Sequence, residues 1–149
     1  MAASFRRLGL LTDDAVMNTL EFLYDHFDAI RLGVLADSAD GEIAAVATKL
    51  LHEERYHLEH ADHWFRRLAN GGEEARERLA EGLRRAFPEA LWLFEPLPDE
   101  DQMVADGLLP MFTAAQLLRW LEIVVPMLEA AGMTDVLPGE LTPDGDGWV

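Results

Sequence analysis

Glu54-Arg55-Tyr56-His57 sets a carboxylate and an imidazole one helical turn apart on one face. Such a Glu-x-x-His is the half-site motif used by carboxylate-bridged di-iron proteins. There, hard carboxylate oxygens and imidazole nitrogens hold the metal inside a bundle that keeps water out. A complete site takes two such motifs and a lone glutamate on each of two further helices. This chain has one motif. Glu21, Asp25 and Asp28 fall beside the apolar stripe of their helix, as Glu122 and Glu129 do on theirs. No residue is therefore assigned as catalytic, cofactor-binding or metal-ligating, and no cofactor is expected. Glu54 and His57 are read as a hydrogen-bonded or ion pair in the core, with metal ligation as the alternative. Either way the pair needs partners, because an unpaired buried charge is costly.

The remaining histidines offer less. His57, His60 and His63 step by three residues, which drifts by about 60° each time on a helix and fans the rings apart. Together with His52 they read as surface residues, Glu59 and His63 as a solvated pair, and His26, beside Phe27, as surface-facing. Ser4 and Ser38 lack a nucleophile-elbow context. Gly71-Gly72 follows a helix rather than a strand, so it is no phosphate loop. With no cysteine there is no thiolate metal site and no cysteine nucleophile.

The elements that carry these residues follow from apolar spacing. Val16, Leu20, Leu23, Phe27, Ile30 and Val34 predict a helix over 13–36, with Thr12 as its N-cap. Asp40 caps a second helix over 41–69, whose seam runs Ile43, Ala47, Leu50, Glu54, His57, Ala61, Trp64, Leu68 and ends at Asn70-Gly71-Gly72. Leu50 belongs to this predicted core, so Leu50→Asp is expected to destabilise the fold. A third helix begins at Glu73, is kinked or interrupted by Pro88, and runs towards Glu95. Pro96 to Pro110 is a connection with a helical turn around Asp101 to Ala105. Thr113 and Gln116 form a capping-box pattern for a fourth helix over 114–131, kinked at Pro126. No strand is predicted. The organisation is an N-terminal lead (1–12), a helical bundle (13–132) and an irregular acidic tail (133–149). The fold is all-α, with two long antiparallel helices and two shorter, kinked ones. The long stripes want more cover than the short helices provide, which points to an oligomer.

Charge narrows the partners. The chain has 149 residues and a formal charge of -16, distributed as -7 over residues 1–65, +2 over 66–85 and -11 over 86–149. So acidic a surface repels phosphate backbones and anionic lipid, which excludes nucleic acid and membrane as partners. The N-terminal apolar patch is too short for a signal peptide and no apolar run approaches a membrane span, so a cytoplasmic location is expected. The six arginines from Arg66 to Arg85 are read as solvated and paired with Glu73, Glu74, Glu77 and Glu81, with an anionic group or acidic partner as the alternative.

The segment K-L-L-H-E-E-R-Y-H-L-E-H-A-D-H-W-F-R-R-L-A-N-G-G, residues 49–72, followed by Leu93-Phe94, resembles the PaaC-type subunit of the bacterial phenylacetyl-CoA monooxygenase (ring 1,2-epoxidase). The motif E-x-R-Y-H-L, then Trp, then R-L-x-[ND]-G falls on Glu53, Arg55, Tyr56, His57, Leu58, Trp64, Arg67, Leu68, Asn70 and Gly71, and the likeness extends over roughly 15–138. The resemblance implies a ferritin-like fold. It also implies a structural, non-catalytic role beside a di-iron sister subunit that epoxidises phenylacetyl-CoA, so the expected partner is a second copy or a catalytic ferritin-like chain. It carries over Glu53 and His57, not Glu54. Family members usually have two further long helices before the first one here, and a final helix with E-H-L and P-G-x-x-W. This chain is accordingly expected to be a short or truncated version that lacks half the bundle.

Overall fold

The computed structural model describes residues 14–138 and the two-residue segments 143–144 and 147–148. Its order is α1 (Asp14–Leu35), α2 (Gly41–Ala69), α3 (Glu73–Leu91), a 3-10 turn (Trp92–Phe94), α4 (Glu100–Ala105), α5 (Thr113–Ala130), a second 3-10 turn (Thr134–Val136) and a strand pair, Pro143–Asp144 with Gly147–Trp148. The fold is all-α, a ferritin-like bundle. Thr12 and the side chain of Val16 lie outside the described residues.

A short turn joins α1 to α2 and forces them antiparallel. The stacking of Phe22 on Phe65 (4.4 Å between centroids) and the 2.7 Å contact of His26 with Asp62 fix the register. Asp40 caps α2 as its position predicts, accepting from the backbone N–H groups of Glu42 (2.9 Å) and Ile43 (3.1 Å). The turn itself is held from outside: the Ser38 hydroxyl donates to Leu108 O (2.8 Å) and Ala39 N–H to Gly107 O (2.8 Å).

Helix α1 is the hub, packing on α2, α3 and α5. Leu20, Phe22 and Leu23 join Leu79, Leu83, Phe87, Trp120, Val124 and Leu128 in one continuous core. The Trp120 indole donates to Leu23 O (3.2 Å), satisfying the one polar atom of a fully buried ring. Gly82 lets α3 come close, since a Cβ there would stand 3.1 Å from the Thr19 hydroxyl.

Four sequence expectations are refined or overturned. Of the two outcomes expected at Pro88, interruption does not occur: α3 runs unbroken to Leu91 before tightening into the 3-10 turn. Thr113 and Gln116 form no capping box: Phe112 holds the N-cap position, and both side chains bond elsewhere. Residues beyond 132 are not wholly irregular, because Met133 and Val136 enter the core and the short strand pair follows. The fourth concerns the α2 seam, whose first half is open. Ile43 (38% exposed), Val46 (58%) and Leu50 (42%) are left partly open and line, with Leu32 and Leu35 of α1, an apolar groove of about 330 Å³. Leu50→Asp is therefore a surface change in the single chain. In urea unfolding of dilute protein it should cost no more than about 0.5 kcal/mol, whereas Leu83→Ala, in the closed core, should cost about 2–5 kcal/mol.

Candidate functional site

Glu54 does not pair inward with His57. Its side chain turns to α1, is 12% exposed, and joins Asp25 and Asp28; one carboxylate oxygen from each of the three lies within 4.8 Å of the others. Among the described residues this is the one such cluster of metal-ligating side chains. The His57 side chain is 63% exposed, its Nδ1 3.5 Å from Glu54 Oε2. The pair predicted to share the core is thus split between a half-dry cluster and solvent. Glu54 Oε1 is buried and makes no hydrogen bond among the described residues.

Crowding three carboxylates sets their protonation. Burial, and after it the negative charge of Glu54, pushes Asp25 up to about 7; Glu21 and Asp28 add to the effect. Burial and Glu54 push Asp28 up to about 6, against the pull of Arg31. Asp25 and Asp28 miss the apolar stripe, which predicts them at its edge and outside any site. Yet Glu21, Asp25 and Asp28 are spaced 4,3, a stripe of their own, and that was the signal available.

Two further polar links bind α1 to its neighbours. His26, expected at the surface, is buried at 4% exposure, with Nε2 2.7 Å from Asp62 and its ring edge-on to Phe22. Facing a neighbouring helix rather than solvent, it needs the partner α2 supplies. Arg31 donates through Nε to Gln116 Oε1 (2.7 Å), and Gln116 donates to Met111 O (2.9 Å). Desolvation lowers the Arg31 pKa, opposed by the charges of Glu100 and Asp28. Buried Glu100 accepts from the Thr113 backbone N–H (3.2 Å) and from its hydroxyl, so a carboxylate from α4 caps α5 in place of the local box. Half of the arginine block pairs as expected, Arg78 with Glu74 (3.2 Å) and Arg84 (3.7 Å) and Arg85 (2.9 Å) with Glu81. Arg76 instead binds the carbonyls of Ala69 (2.7 Å) and Ala131 (2.8 Å), closing the ends of α2 and α5.

A family model described as phenylacetic acid catabolic protein (PaaA/PaaC) matches residues 12–145. The chain belongs to that family. No curated protein matches it. Within the PaaA/PaaC frame, a di-iron centre of the Glu-x-x-His type does not fit the residues present. The cluster is all oxygen, His57 points to solvent, and the nearest buried imidazole, His26, is held by Asp62. No described helix is long and apolar enough to cross a membrane.

Raised carboxyl pKa values fix the sign of a pH effect. Between the unfolded value near 4 and the folded values, the native state holds protons that the unfolded state has released, so stability falls as pH rises towards 7 and levels off above it. Asp25→Asn should remove most of this slope. Denaturant unfolding should find it more stable than the parent by about 1 kcal/mol at pH 8, less than full burial would return because Asp25 is only partly buried, and indistinguishable at pH 3.5.

Proposed function

We propose that this family member is a structural, non-catalytic, cytoplasmic subunit of a phenylacetyl-CoA monooxygenase-type assembly, acting through helix-face contacts. The direction of His57 carries the reading. The only Glu-x-x-His of the chain separates its ligands, the carboxylate towards α1 and the imidazole towards solvent. An oxidase needs imidazole and carboxylate converging on one metal. The open apolar face of α2 supports the same conclusion, since a subunit that lends surface rather than chemistry must leave some uncovered.

One observation favours a rival, a di-iron or di-manganese oxidase assembled across a homodimer: Asp25, Asp28 and Glu54 are close enough to share a hard cation. Two-fold symmetry would duplicate Glu54 and His57. It would not turn Glu54 away from α1, nor provide the lone glutamates.

Native mass spectrometry of the protein prepared with iron and manganese available separates the two readings. The structural reading expects chains without stoichiometric metal and no change in His57→Ala. Two metals per dimer, lost in His57→Ala and in Glu54→Gln, would establish the oxidase instead.

A further inference from the structure

The outer face of α2 is complementary to itself. Glu42, Val46, Lys49, Glu53, Tyr56 and His60 follow a 4,3,4,3,4 spacing, and all six are exposed. Residues on two antiparallel copies of one helix oppose each other when their numbers have a constant sum. About a dyad at residue 51, Lys49 meets Glu53, Val46 meets Tyr56 and Glu42 meets His60, each pairing occurring twice. Every pair is complementary. Val46 and Tyr56 are the two most exposed large apolar side chains on α2, at 58% and 76%. The Trp64 indole donates to His60 Nε2 (3.0 Å), which leaves the His60 proton on Nδ1, free to donate to a carboxylate.

We propose that α2 pairs with α2 of a second copy of this chain, antiparallel, about a two-fold axis at Leu51. The groove next to Val46 is what makes the pairing more than a charge pattern. It is lined by Leu32, Leu35, Ile43, Ala47 and Leu50 and has room for an aromatic ring, and the dyad brings Tyr56 of the second copy to its mouth. A rigid aromatic entering an apolar pocket is the usual anchor of a protein interface. Electrostatics agree. The chain carries -16, so two copies repel over most of their surfaces, but from Glu42 to His60 the exposed charged residues are Glu42, Glu53 and Glu59 against Lys49 and Arg55, a net of only -1. Along this stretch two such acidic bodies can touch with little net repulsion. The pairing deepens the structural reading by naming the partner, and it leaves the Asp25–Asp28–Glu54 cluster outside the contact.

The charge pairs give a test that does not depend on folding. Lys49→Glu alone sets like charges opposite each other at both pairs, and so does Glu53→Lys. Each variant should raise the dimer dissociation constant about tenfold or more, with the helical circular dichroism unchanged. Mixing the two variants restores opposite charges at both pairs, with the signs exchanged at one of them, so native mass spectrometry should show a 1:1 heterodimer that neither forms with itself. Tyr56→Ser should weaken the parent dimer without affecting the helices. A parent chain that stays monomeric at tens of micromolar (~10⁻⁵ M) would overturn the pairing and leave the face to a different chain. So would a dimer that both charge variants retain. Metal content, read in the same spectra, tests the structural reading separately, so either can fail alone.

Discussion

Helix α1 lies between α2, α3 and α5, and this enclosure determines most of what is polar in the molecule. A helix shows a side chain every 100° of turn, so one with neighbours on three sides cannot send all its polar groups to water. His26, Asp25, Asp28 and Arg31 must each meet something. They meet Asp62, Glu54 and Gln116, and through those contacts α2 and α5 are held at fixed heights along α1. The backbone joins in where Trp120 bonds Leu23 O. Apolar burial drives the assembly, while these polar links select one register among several that would bury similar area.

The fold was largely legible. Period-3.6 spacing located both long helices within a residue or two, and Asp40 marked the start of α2 by the chemistry of its side chain. Two limits show where such reasoning stops. Periodicity records which residues share a face, not whether anything covers that face, and so Ile43 and Leu50 read as core although the single chain leaves them open. A local signature can also be overridden by a tertiary partner. Thr113 and Gln116 have the sequence of a capping box, but the carboxylate of Glu100 and the guanidinium of Arg31 offer better partners from elsewhere in the fold.

The candidate site was less legible, for a related reason. Drawing a single apolar stripe along α1 assumes one packing neighbour and sends Asp25, Asp28 and His26 to the surface. With three neighbours the off-stripe positions are interior too, and the acids that seemed solvated become a cluster with Glu54. The Glu-x-x-His spacing correctly placed Glu54 and His57 about one turn apart. It could not say that α1 would draw the first inward while the second stayed in water.

Three carboxylates in a half-dry site can lower their mutual repulsion by holding a proton or by holding a cation. Asp25, pushed up to about 7, takes the first course near neutrality. An oxygen-only set suits hard cations, whereas oxygen-activating iron chemistry is built with imidazole as well. The cluster therefore has an internal solution in a shared proton, which supports the proposed structural role. The same division runs through α2. Its inner face, at Glu54, Ala61 and Phe65, is committed to α1, and its outer face, from Glu42 to His60, carries apolar anchors and self-complementary charge that the single chain leaves unused.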